Sequence, residues 1–314
     1  PESIALFISD IIQKLVGEKE RLSIFNPGSG SGNLLHTVMG QLDKETEGFA
    51  CEIDDTLIRI SVMTANILEQ NIEYFHQDSL RPLLLDPVDF VIADLPVGYY
   101  PDEERAKDFK LKAKEGMSYS HHLFIEQALT YTKEGGYLIF LIPEFLFTSD
   151  QAEQLNEFLH EHAHIIGVFQ LADTTFKTTE NKKSIFVIRK KGKNTVNVKQ
   201  PLLVMLPSLK DTQAMESILV QINEWFENED LSELKHPNTK NQILKMPAYN
   251  QALKNWLLSM QCVCGEGTVL FKCDNTKAVG YDKDNDTPLR LRAKSLNILS
   301  NKIIGLKKIY WRKG

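Results

Sequence analysis

The segment Asp89-Phe-Val-Ile-Ala-Asp94 is an apolar run that ends in a carboxylate, and Leu95-Pro-Val-Gly-Tyr-Tyr-Pro101 then turns the chain sharply at Pro96 and Gly98. A run of this kind reads as a parallel strand buried on both faces. It delivers one acidic group, Asp94, to the carboxyl edge of a sheet, where open α/β proteins place their ligands. A second turn of the same kind lies upstream, Phe25-Asn-Pro-Gly-Ser-Gly-Ser-Gly-Asn-Leu-Leu35. One turn is suited to cradle a cofactor and the other to hold a polar group of a substrate, which points to a bi-substrate enzyme.

The rest of the first 190 residues repeats the strand-then-helix rhythm. Ile4, Ile8, Ile11, Ile12 and Leu15 give an amphipathic helix over 4–16. Strands are predicted at 21–25, 48–53, 72–76, 89–94 and 137–143, with helices at 34–42, 55–70, 121–132 and 149–162. Ser118 or Ser120 is expected to cap the helix at 121, and Ser149 or Asp150 the one at 149. Gly135-Gly136 reads as a turn. Strands at 165–171 and 184–189 have no helical pattern between them, so they are expected to form an antiparallel pair. The predicted fold class is α/β: a Rossmann-like doubly wound sheet of seven strands with the last strand antiparallel, plus a C-terminal helical extension. A catalytic domain is expected over 1–200. Residues 201–314 read as a mostly helical extension ending in a basic tail, with eight Lys or Arg and no Asp or Glu from Pro288 to Gly314.

Composition narrows the function. The chain has 314 residues, ordinary hydrophobic content (42%), a net charge of -6 and four cysteines. No apolar run approaches the roughly 20 residues needed to span a bilayer, and no signal peptide is visible. A reducing cytoplasm is the expected setting. The acidic balance disfavours a broad phosphate-binding surface but leaves room for a local basic groove.

Glycines between a first strand and its helix let a ligand approach the backbone, where helix N–H groups are free. The spacing Gly28-x-Gly30-x-Gly32 lacks the two-residue gap of the dinucleotide fingerprint. It therefore favours a nucleoside without phosphates over a pyrophosphate and disfavours a nucleotide-dependent oxidoreductase. Glu52, with Ile53 beside it, ends the second strand, where a carboxylate can accept from ribose hydroxyls. Asp78, followed by Ser79, stands just past the third strand, in position to accept from an adenine amino group.

In this order and spacing the residues resemble the class I S-adenosylmethionine-dependent methyltransferases of the adenine-N6 group. Pro1-Glu-Ser-Ile4 is similar to the element that closes over the cofactor. Asn26-Pro27-Gly28-Ser-Gly30-Ser-Gly32 resembles the cofactor loop, and Asp94-Leu95-Pro96-Val97 the catalytic motif. Lys133-Glu-Gly-Gly136, the strand to Pro143, and the Phe176 and Ser184–Val187 segment also fall where that group has them. The likeness covers about residues 1–190, and within the group the chain resembles the YtxK-type adenine methyltransferase-like proteins of bacteria.

The resemblance implies S-adenosyl-L-methionine as cofactor, held by Pro1, Asn26, Pro27, Gly28, Gly30, Gly32, Glu52, Ile53, Asp78, Ser79 and Asp94. It implies methyl transfer to an amino group gripped by the Asp94 carboxylate and the Leu95 carbonyl, with no metal. Three positions depart from the pattern: Asn26 replaces Asp, Leu95 replaces the first Pro, and Val97 replaces the aromatic that stacks on a target base. Tyr99 and Tyr100 are the candidate replacements for that stack. The expected substrate class is nucleic acid, DNA or RNA. The competing reading is a degenerate cofactor-binding module that has lost base recognition. Cys262, Cys264 and Cys273 read as free thiols, His160, His162 and His164 point different ways around a helix end, and His121 and His122 read as capping or solvent residues.

Overall fold

The computed structural model describes residues 2–143, 146, 152–172, 175, 183–193, 195, 202–227, 277–282 and 287–292. In chain order its elements are α1 (Glu2–Leu15), β1 (Arg21–Pro27), α2 (Asn33–Gln41), β2 (Glu45–Glu52), α3 (Asp55–Ile67), β3 (Ile72–His76) and β4 (Val88–Asp94). There follow α4 (Glu103–Ala106), α5 (Ser120–Thr130), β5 (Thr132–Pro143), α6 (Ala152–His162), β6 (Ala163–Gln170), β7 (Lys183–Lys190), β8 (Leu202–Met205) and α7 (Thr212–Glu227). A separate hairpin pairs β9 (Lys277–Asp282) with β10 (Thr287–Arg292).

The main sheet runs β3-β2-β1-β4-β5-β7-β6-β8. β1 to β5 are mutually parallel, and β7 is antiparallel to both of its neighbours, β5 and β6. This is the expected seven-stranded Rossmann-like sheet with its last strand reversed. β8 adds an eighth strand parallel to β6, in a stretch whose sequence read as helix. Four residues are too short to show a period that separates strand from helix. α7 is helical as read, and β10 lies within the stretch read as a basic tail.

Strand order reverses between β1 and β4, so the crevice outside their carboxyl ends is the topological switch point of the sheet. Both turns singled out by the sequence leave from this crevice.

Packing explains the elements. Val88 through Ala93 are buried on both faces of β4, and Asp94 is the first exposed residue. Phe25, Phe90, Phe140, Phe169 and Phe186 fill the layers on the sheet faces, each worth about 1.5–3 kcal/mol on burial. α1 buries Ile4, Ile8, Ile11 and Ile12 and sets Phe7 edge-on to Phe169, with ring centroids 5.4 Å apart.

Two local readings are corrected. Gly135-Gly136 lies inside β5, not ahead of it, where the pairing with β4 slips. Gly135 has φ 75°, and a Cβ on Gly136 would stand 2.8 Å from the Asp89 carbonyl. At α5 the cap position is Tyr119, without a side-chain cap bond; Ser118 Oγ instead accepts from the Ala113 N–H. Ser149 and Asp150 lie outside the described residues.

Candidate active site

The glycine turn is shaped by backbone needs that differ from one position to the next. Gly28 and Ser29 both donate their N–H to the Cys51 carbonyl at the end of β2, which folds the turn over the sheet edge (2.8 and 2.9 Å). Gly28, Gly30 and Gly32 have φ of 74°, 56° and 83°, in the left-handed region that favours glycine. A Cβ on Gly32 would collide with Ser61 Oγ and the His36 ring, so this glycine serves the packing of α2 on α3. A Cβ on Gly30 would meet nothing within 4 Å. That open space over the backbone is where a ligand can come close.

Glu52 is buried, and its carboxylate is already engaged. Oε2 accepts from the Gly30 N–H (2.7 Å), and Oε1 accepts from the Ile53 and Asp54 N–H groups (2.9 Å each). A carboxylate has about four acceptor sites, so three backbone amides leave it about one more. Asp54 caps α3, accepting from the Thr56 and Leu57 N–H groups. Ile53 is 67% exposed beside this carboxylate.

Asp78 is likewise partnered: Oδ1 accepts from the Leu80 N–H (2.9 Å) and Oδ2 from the Tyr100 hydroxyl (2.6 Å). Burial, together with the Asp78 carboxylate, pushes the Tyr100 hydroxyl well above its ordinary range. Ser79 is buried, and its carbonyl accepts from Gln127 Nε2 at 3.1 Å.

Two buried polar atoms of the turn have no such partners. Asn26 Oδ1 and Ser29 Oγ lack any hydrogen-bond partner among the described residues, although both residues are at most 8% exposed. A buried acceptor left unmade costs about 1–3 kcal/mol, so a site with orphan acceptors beside open backbone is one that awaits a donor. S-adenosylmethionine carries an ammonium, ribose hydroxyls and an adenine amino group. Its donors match Asn26 Oδ1, the remaining Glu52 capacity and Asp78, and the residues present fit the cofactor. Pro27 closes β1 beneath them.

Across the switch point, β4 delivers Asp94. Its side chain is 53% exposed, and Oδ1 accepts from the Lys183 ammonium at the start of β7. Leu95 is buried, and its N–H donates to the Leu141 carbonyl (3.3 Å). Among the described residues no donor reaches the Leu95 carbonyl. Pro96 is exposed, and Val97 is 48% exposed.

The two tyrosines then part. Tyr100 turns inward to Asp78. Tyr99 is 55% exposed and stacks on Tyr119 (4.9 Å, 15°), which stacks in turn on His121 (5.1 Å, 29°). His121 and His122 are fully buried, against the reading of them as solvent or capping residues. Burial pushes their imidazoles down to about 4 and about 3, with each other's proximity adding to the effect on His122. Both are neutral near pH 7.

Lys183 escaped the sequence reading as a site component. Lys183 opens a strand instead of closing one, and only the reversed direction of β7 brings it to this edge. Pro1, Phe176 and the three cysteines at 262, 264 and 273 lie outside the described residues. Among those described, no group of His, Cys, Asp and Glu is placed to hold a metal ion, and no helix is long and apolar enough to cross a membrane.

Residues 1–244 match the N-6 DNA Methylase family model. An uncharacterized protein, YtxK, of Bacillus subtilis (strain 168) is 49% identical over 230 residues, 73% of this chain and 70% of that protein. A crystal structure from Listeria monocytogenes, described as a candidate class I S-adenosylmethionine-dependent methyltransferase, is 40% identical. It covers 72% of this chain and 71% of that one, with a TM-score of 0.69. A type I restriction-modification methyltransferase subunit from Streptococcus thermophilus is 15% identical and covers 73% of this chain and 53% of its own, with a TM-score of 0.57; this likeness is one of fold.

Proposed function

The chain belongs to the N-6 DNA Methylase family of S-adenosylmethionine-dependent methyltransferases, and from that premise we propose that it methylates an amino nitrogen held by Asp94 and the Leu95 carbonyl. One observation carries the reading. β4 ends in an exposed carboxylate, followed in the chain by Leu95, whose carbonyl meets no donor among the described residues, across the switch point from a glycine turn with orphan acceptors.

The bound cofactor supplies an electrophilic methyl on a sulfonium. Asn26, the Gly28–Gly30 backbone, Glu52, Ile53, Asp78 and Ser79 hold it. The chemical difficulty lies with the acceptor: the lone pair of an aromatic amino group is delocalised into its ring. Asp94 and the Leu95 carbonyl each accept one amino hydrogen. Two acceptors below the ring plane draw the nitrogen towards tetrahedral geometry and free its lone pair for in-line attack on the methyl, whose bond to sulfur would break as the new bond forms, and the methylated nitrogen would then give up one proton to solvent at the half-exposed Asp94. The contribution is one of positioning and electrostatics, with the acceptors in place before reaction.

The substrate in this reading is an adenine in nucleic acid. An adenine paired in a duplex has to be flipped out to reach Asp94. Tyr99 supplies the aromatic face that Val97 lacks: Tyr119 backs one side of its ring, and the ring stays exposed. Base stacking on such a face is worth about 1–3 kcal/mol.

A second reading, a cofactor-binding module without transfer, is favoured by Val97 and by Tyr100, which is committed to Asp78. Calorimetry and label transfer separate the two. The enzyme reading expects S-adenosylmethionine, not NAD, to bind, and a tritiated methyl to reach DNA or RNA. Binding without label in DNA, RNA or protein pools would establish the module instead.

A further inference from the structure

The ion pair at the mouth of the site adds a residue to this machinery. β7 runs antiparallel to β5, with Lys183 opposite Pro143, while Asp94 of β4 lies opposite Leu141 of the same strand. The first residue of the reversed strand therefore reaches the edge where the parallel strands end. There the Lys183 ammonium meets Asp94 Oδ1 across 89 residues of sequence. Lys183 is 17% exposed at its side chain and Asp94 53%. The lysine is thus held in the wall, and the carboxylate faces the opening. The lysine stem packs along the wall while its ammonium sits at the rim, where among the described residues its charged partner is Asp94.

We infer that Lys183 is the positioning residue of the amino-group acceptor, and that the working group is the Asp94–Lys183 pair, not Asp94 alone. The inference rests on the reading above that Asp94 holds the amino group. A lone carboxylate offers two equivalent oxygens and turns freely about its last bond. Lys183 removes the equivalence: Oδ1 is taken, and Oδ2 is left to pair with the Leu95 carbonyl as the second acceptor. It also cancels the charge. A bare carboxylate draws any cation that enters the crevice, whereas the pair is a neutral acceptor with one fixed lone-pair direction. The amino group then meets a pre-aimed oxygen in place of a rotating anion, and the gain falls on turnover, not on cofactor binding.

The experiment is a double-mutant cycle on the full chain: wild type, Lys183→Met, Asp94→Asn and the double variant, with Lys183→Arg as the rescue. Tritiated S-adenosylmethionine and DNA prepared without methylation are the substrates. Calorimetry gives cofactor affinity, and thermal melting reports folding. Lys183→Met is expected to lower kcat about 10- to 30-fold, with KM and Kd for S-adenosylmethionine within about threefold, and Lys183→Arg to restore kcat to within about threefold of wild type. In the Asp94→Asn background the same lysine change is expected to act by less than about threefold, because no charge is left to pin.

Equal factors in both backgrounds, or a loss of cofactor affinity matching the loss of kcat, would overturn the positioning role. A wild type that binds the cofactor but transfers nothing to the DNA, nor to RNA assayed in its place, overturns the functional reading itself, and this inference with it. Wild-type turnover without coupling overturns the inference alone.

Discussion

β4 carries an aspartate near each end, and the two are surrounded in opposite ways. Asp89, at the amino edge, has a side chain 6% exposed. It accepts from Lys19 (2.6 Å), Lys133 (3.1 Å), the Ser23 N–H (3.0 Å) and the Ser23 hydroxyl (2.8 Å). Burial pushes its carboxyl up, but the bonds from Lys19, Ser23 and Lys133 together outweigh burial and hold it at about 2. Asp94, five residues on at the carboxyl edge, is half-exposed with one lysine and a bare carbonyl beside it. An open concavity of about 760 Å³ lies at the amino edge, lined by Arg21, Glu45, Asp89 and Lys133. The concavity alone would point to that edge. Satisfaction of polar groups chooses the other: a buried carboxylate held by four donors serves the fold, and an under-used one beside orphan acceptors serves a ligand.

That contrast can be broken at either end of the strand. The largest effect is expected from Asp94→Ala, with methyl transfer falling on the order of a thousandfold. Because the change strands the Lys183 ammonium, the Asp94→Ala/Lys183→Met pair should be no slower and should melt higher than Asp94→Ala alone. Asp89→Ala, by contrast, is expected to cost about 2 kcal/mol of stability through the Ser23 donors left unpaired, measured by urea unfolding. Its transfer rate per folded molecule should stay within twofold, and a rate loss like that of Asp94→Ala would erase the distinction.

Gly30→Ala comes next. The added methyl occupies the open space over the turn, so S-adenosylmethionine affinity should fall about tenfold by calorimetry. The positive φ costs only about 1 kcal/mol of stability. An unchanged affinity would move the cofactor away from this turn.

The smallest effects lie in pH dependence, and they too separate the two edges. His121 and His122 fall from an ordinary 6.5 to about 4 and about 3 on burial. The unfolded chain therefore takes up protons first, and stability falls as pH drops from 6.5 towards about 3. Asp89 is depressed from 3.8 to about 2. Its stabilisation is complete above 3.8 and is lost as pH falls towards about 2. His121→Asn/His122→Asn should flatten the stability curve between pH 6.5 and 4 and leave the lower limb in place. A slope that survives in that variant would point to other groups.

Much of this arrangement was legible in the residues. The run to Asp94, the glycines at 28, 30 and 32 and the strand-end Glu52 announce a parallel sheet with ligands at one edge, because burial, left-handed turns and strand ends leave local signatures. What stayed hidden depends on contacts distant in sequence. That Glu52 is spent largely on backbone amides, that Tyr100 faces Asp78 while Tyr99 faces outward, and that Lys183 reaches Asp94 are all decided by packing between strands far apart in the chain. The histidines misled for the same reason: two imidazoles at a helix start look solvated until Tyr119 and the α5 packing enclose them. β8 is too short to carry a period of its own.

The most direct test of the central claim follows label and cofactor on the same samples. Wild type and Asp94→Ala are each loaded with tritiated S-adenosylmethionine, the bound cofactor is counted, and methyl transfer to DNA and RNA is measured in a single turnover. The account predicts equal loading within about threefold, label in the nucleic acid for wild type and none for the variant. Label transferred by Asp94→Ala at the wild-type rate would contradict it.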